Sequence, residues 1–134
     1  MKTFHKSVLL PLVAIFFALA SAQTASAQIP DEIILSLKSG NARVLASYFN
    51  QNVELVILDN DNVYSKAQAE QIISDFFSKN KPERFTVIHQ GGKEGAQYVI
   101  GNLVTRQATF RVYFLLKKSA DKDIIHQLRI AKQS

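Results

Sequence analysis

The side chains of this sequence best suited to chemistry are His89 and His126, with Tyr48, Tyr64 and Gln97 as possible polar companions. Histidine changes charge near neutral pH, so a pair on one surface suggests a shared metal or an acid–base couple. A strand register in which Thr105 pairs with Ala108 places His89, Gln97, Leu116 and His126 in one row at one end of a sheet face. In that row the two histidines stand three strand spacings apart, roughly 14 Å at ~4.8 Å per strand. Shared ligation needs bonds of ~2 Å, so no metal site is expected. Each histidine reads instead as a residue at the edge of a core, lining the mouth of a pocket.

A calcium loop is the other candidate. Asp59 and Glu70 have the spacing of its first and last ligands, and Asp61 and Ser65 fit between them. Val63 offers no side-chain oxygen where one is needed, and Tyr64 stands where the tight turn wants glycine. No nucleophile elbow, phosphate loop or zinc spacing occurs, and nothing calls for a cofactor. Gly91-Gly92 followed by Gly95 reads as a hairpin turn.

The elements that must position these side chains begin after a leader. Lys2 and Lys6 precede an uncharged apolar run, Val8 to Ala20, and two small-residue patterns follow at Ala20-Ser21-Ala22 and Ala25-Ser26-Ala27. This is the form of a secretory signal peptide over residues 1–27, leaving a single domain over 28–134 in the periplasm or outside the cell. The run is shorter than the ~20 residues of a membrane span and is interrupted by Pro11, so no span is expected after cleavage. There is no cysteine, hence no disulfide and no lipid-bearing thiol. Stability must come from the core alone. Loss of Lys2 and Lys6 lowers the formal charge from +5 to +3. That mild, scattered charge, together with export, argues against a nucleic-acid partner.

Pro30, Asp31 and Glu32 start a short helix with Ile33, Ile34 and Leu37 apolar, and Ser39-Gly40 stops it. Asn41 caps a second helix, in which Ala42, Leu45, Ala46 and Phe49 recur at helical spacing. Val53 to Leu58 reads as a buried strand and Asp59 to Asn62 as a turn. Ser65 caps a longer helix that ends at Asn80 and Pro82. Its buried stripe is Ala69, Ile72, Ile73, Phe76 and Phe77, with Asp75 on the solvated side. Four strands follow at Arg84–Gln90, Ala96–Thr105, Ala108–Lys118 and Asp123–Ala131.

This α+β order, α-α-β-β-α-β-β-β-β, resembles the nuclear transport factor 2-like fold, also called cystatin-like. The sequence is most similar to a family of small exported bacterial proteins of unknown function that carry it. The resemblance rests on Ser47-Tyr48-Phe49, Tyr64-Ser65-Lys66, Gln68-Ala69-Glu70, Asp75-Phe76-Phe77, His89-Gln90-Gly91, Tyr98-Val99-Ile100-Gly101 and Phe110-Arg111-Val112, across essentially all of residues 28–134. It implies a cone of helices packed on a curved, mainly antiparallel sheet, and no catalytic residues. Gln107-Ala108 stands where the family has a turn glycine.

In the same register Val99 faces Phe114, Gly101 faces Val112 and Leu103 faces Phe110. Phe85, Val87, Leu128 and Ile130 extend this apolar face, and Gly101 leaves room for the Phe85 ring. The opposite face carries Tyr98, Ile100, Asn102, Arg111, Tyr113 and Leu115, the composition of an interface centre. Proteins of the resembled fold commonly dimerise through this outer face, so a homodimer is expected.

Three readings of function stand side by side. One is a non-catalytic binding domain holding a partner or a small apolar or amphipathic ligand. The second is an isomerase- or hydratase-type enzyme with His89 or His126 as base and Tyr48 or Tyr64 as donor. The third is a scaffold acting through the Tyr98-Arg111-Tyr113 face. No carboxylate maps to the inner face to assist a histidine base, which favours the binding domain.

Overall fold

A computed structural model describes residues 28–134; the expected signal peptide, residues 1–27, lies outside them. The elements are α1 (Asp31–Ser39), α2 (Ala42–Ser47), β1 (Phe49–Ile57), β2 (Asn60–Ser65), α3 (Lys66–Lys79), β3 (Pro82–Lys93), β4 (Ala96–Thr105), β5 (Thr109–Ser119) and β6 (Lys122–Lys132). This is the α+β order expected from the sequence.

Local signals set the helix ends. Asp31 and Glu32 occupy the first turn of α1, where carboxylates complement the exposed N–H groups. Gly40 ends α1 at φ +71°, and an added Cβ would lie 2.9 Å from Pro82 Cδ. Glycine is thus required there both for the left-handed turn and for the close approach of β3. Asn41 Oδ1 accepts the Val44 N–H at 3.1 Å and starts α2. α3 opens with a capping box in which the Ser65 hydroxyl accepts the Gln68 N–H and the Gln68 side chain returns to the Ser65 N–H.

The strands form one six-stranded sheet in the order β2-β1-β6-β5-β4-β3. All neighbours are antiparallel except β1 and β6. The β4–β5 register is the expected one: Val99 opposite Phe114, Gly101 opposite Val112 and Leu103 opposite Phe110 on the inner face. The glycine-free connection between them is closed by Thr105. Its backbone N–H and hydroxyl both donate to the Ala108 carbonyl, and its hydroxyl accepts the Ala108 N–H.

Several strands run further than their composition suggested. β1 starts at Phe49, and its hairpin with β2 turns at Leu58-Asp59, because Asn60 already pairs with Ile57. Asp59 to Asn62 is therefore mostly strand. The β3–β4 ladder continues through both glycines to Lys93 opposite Ala96, which leaves Glu94-Gly95 as the turn.

The inner face and the helices enclose one core. Phe114, Leu45, Ile73, Val99, Leu103, Ile125, Leu128 and Ile130 are fully buried, and Phe76, Phe77, Phe85 and Phe110 nearly so. Phe85 fills the space above Gly101, where an added Cβ would overlap its ring. Ile72 and Val87, expected in the core, are only partly covered: Ile72 faces a cleft, and Val87 lies on the edge strand β3.

Candidate functional site

Two bulges dissolve the histidine row. β3 runs two residues out of the expected register, with Phe85 opposite Leu103 and Val87 opposite Gly101 instead of Phe85 opposite Gly101. After Val87, Ile88 is inserted and His89 falls opposite Ile100 rather than Gln97. The extra residue moves His89 to the outer face, where its Nε2 lies 3.0 Å from the Tyr98 hydroxyl. On β6 Gln127 pairs with Leu115, but Leu116 pairs with Ile125, so His126 is the inserted residue. Ile125, fully buried, takes the inner position beside Leu116 that the unbulged register assigned to His126. Partial burial, helped by the charge of Lys117, holds His126 below the ordinary histidine value.

The other three pocket candidates are also dispersed. Tyr48 follows α2 and donates its hydroxyl to Glu32 Oε2 at 3.0 Å. Burial raises its pKa, with the Glu32 bond and the charges of Glu32 and Asp123 acting in the same direction. Gln97 borders a small recess of about 80 Å³ with Gly95, Leu116 and Asp123. Only Tyr64 lines a larger cleft. The five residues do not form one site, and among the described residues no three histidine or acidic side chains group as metal ligands.

The interior of the cone is occupied by rings. Phe76 meets Phe110 edge to face at 5.1 Å between centroids and Phe77 at 6.0 Å. A cleft of about 280 Å³ opens at the edge of the core, lined by Ile57, Leu58, Asn60, Tyr64, Ile72, Asp75, Phe76, Lys79 and Asn80. Its origin is the pattern of β2. Asn60, Asn62 and Tyr64 stand opposite Ile57, Leu55 and Val53 and so share the inner face, while Val63 faces outward and is 61% exposed. A strand with polar residues at its inner positions supplies little to fill the space beneath α3. The signal was present in the sequence as Asn60-Asp61-Asn62-Val63-Tyr64, an alternation whose apolar member falls on the outer face.

The expected outer face does form. Tyr98 stands opposite Leu115, Ile100 opposite Tyr113 and Asn102 opposite Arg111. The Tyr98 and Tyr113 rings stack at 6.0 Å, and Arg111 Nε donates to Asn102 Oδ1 at 3.0 Å. Gly91 allows the first of these rings to lie flat, since an added Cβ would stand 2.7 Å from the Tyr98 hydroxyl oxygen. Toward β1, Gln127 Nε2 donates to Glu54 Oε1 at 3.1 Å, and Arg129 stands opposite Tyr113.

With this geometry in place, a model of a domain of unknown function, DUF4783, matches residues 30–131. The chain belongs to the DUF4783 family. A DUF4783 protein from Bacteroides ovatus has 36% identity and a TM-score of 0.77, over 81% of this chain and 99% of its own. One from Bacteroides uniformis also has 36% identity, with a TM-score of 0.76, over 80% and 99%. An NTF2-like protein of unknown function from Shewanella baltica shares the fold at 12% identity, with a TM-score of 0.61 over 78% of this chain and 87% of its own. None of the curated proteins matches. This DUF4783 chain therefore has the nuclear transport factor 2-like fold that the resemblance implied.

Proposed function

We propose that this DUF4783 protein is an exported, non-catalytic binding domain that works as a homodimer through the outer face of its sheet. The observation that carries this reading is the outer patch of stacked Tyr98 and Tyr113 with Ile100, Leu115 and Arg111, residues that lie on adjacent strands. Aromatic rings and arginine are the side chains enriched at the centres of protein interfaces. Both signs of charge occur on this face, Arg111 and Arg129 toward β5 and β6, Glu54 and Asp61 toward β1 and β2. A self-complementary pairing of two copies can oppose them.

A non-catalytic role is supported by the arrangement of the interior. Phe76, Phe77, Phe110 and Phe114 occupy the cone where a substrate would have to enter, and His89, His126 and Tyr48 face three different surroundings. Export is supported by the charged, apolar and small-residue succession of residues 1–27.

Sedimentation equilibrium of the purified protein tests the dimer. Tyr113→Glu places a charge in the centre of the patch and should raise the dimer dissociation constant at least about 30-fold. A wild-type chain that stays monomeric at high micromolar concentration overturns the outer-face interface.

A further inference from the structure

We infer that the cleft between β2 and α3 is a binding site for a small, uncharged amphipathic molecule, one with a short apolar part and a hydroxyl- or amide-bearing head. This deepens the binding-domain reading by naming a second surface and its ligand class; it does not depend on the dimer. The cleft has two chemically distinct sides. Ile57, Ile72 and Phe76 form an apolar floor with Leu58 as a wall, and Asn60, Tyr64 and Asn80 bring two amides and a phenol to the rim. The Asn80 Nδ2 donates to the Phe76 carbonyl at 3.1 Å, so Asn80 offers its oxygen. Its volume of about 280 Å³ falls just below the ~300–1,000 Å³ typical of ligand pockets, which suits a small ligand.

Charge selects the class. The ionised side chains lining the cleft are Asp75 and Lys79, and they pair with each other at 3.2 Å on successive turns of α3. Their charges cancel and both side chains are largely in solvent, so the cleft offers no net charge to draw a carboxylate or an ammonium. An uncharged head can use the amides and the phenol without disturbing the pair.

The β1–β2 turn shapes one side of the cleft. Leu58 adopts φ +57°, a left-handed conformation that non-glycine residues rarely take. It holds its side chain 47% exposed at the cleft, although its backbone N–H is anchored to the Ile130 carbonyl at 2.8 Å. The half-exposed Leu58 side chain thereby forms one wall of the cleft.

The test is titration of the isotope-labelled protein with hexyl glucoside, hexanoate and hexylammonium, followed by backbone amide shifts. Hexyl glucoside should give saturable shifts confined to Leu58, Asn60, Tyr64, Ile72, Phe76 and Asn80, at least fivefold tighter than either charged probe. Leu58→Gly removes the wall and suits the positive φ, so the variant keeps its fold; it should weaken the glucoside at least fivefold. Equal or tighter binding of a charged probe overturns the ligand class. Absent shifts, shifts centred on Tyr98 and Tyr113, or unchanged binding by Leu58→Gly overturn the site. Oligomeric state, measured on the same samples, reports separately on the outer-face dimer.

Discussion

The Phe76 ring of α3 meets the Phe110 ring of β5 edge to face, 5.1 Å between centroids and 78° between planes. This contact joins the long helix to the middle of the sheet and closes the interior of the cone. Both residues are at most 5% exposed, so truncating either leaves a cavity within a packed core.

Phe110→Ala should therefore cost about 3–5 kcal/mol of unfolding free energy. A double-mutant cycle with Phe76→Ala should return a coupling of about 0.5–1.5 kcal/mol beyond simple burial. Urea denaturation followed by circular dichroism measures both. A loss below about 1 kcal/mol for Phe110→Ala would show that the rings do not share a tight core.

Gly101→Ala is predicted to destabilise the protein despite its small size. The new Cβ would enter the space of the Phe85 ring, with Phe85 Cε1 at 2.7 Å, and such overpacking costs about 1–3 kcal/mol. Adding Phe85→Leu should restore part of that loss, a rescue visible in thermal melting of the two variants. Without rescue, the clash lies with the β3 backbone instead.

The β5–β6 turn can be improved. Ala120 and Asp121 both adopt positive φ, +50° and +65°, and Ser119 pairs with Lys122 around them. A two-residue hairpin turn with that backbone favours Asn-Gly. Ala120→Asn combined with Asp121→Gly should raise stability by about 1 kcal/mol. A lowered melting temperature would contradict the turn geometry.

His126 makes stability depend on pH in a defined sense. Its folded pKa lies below the ordinary 6.5, chiefly through burial and secondarily through Lys117. The unfolded chain then binds the proton more readily, so the contribution is complete above pH 6.5 and is lost as pH falls toward the folded value. The side chain is only partly buried, so the effect is small. His126→Gln should flatten the stability profile between pH 7 and pH 5 relative to wild type. Parallel profiles for the two proteins would assign the acid sensitivity elsewhere.

The sequence alone determined whatever short-range chemistry controls. The Ser65–Gln68 capping box, the Asn41 cap and the Gly40 stop act within a few residues, so the helices were legible. The β4–β5 faces were legible too, because alternation over Val99, Gly101 and Leu103 admits one register that separates apolar from mixed sides. Resemblance across the chain supplied the order of elements.

Tertiary structure decided the rest. A bulge adds one residue without a compositional mark, and those at Ile88 and His126 shifted every side chain beyond them in register. For that reason the two histidines parted, one to the outer face and one out of the ladder. The parallel pairing of β1 with β6 joins segments about 70 residues apart, a contact no local pattern encodes. The cleft exists because the polar inner positions of β2 lie beneath the half-covered Ile72 of α3, a coincidence that appears only when hairpin and helix are packed together.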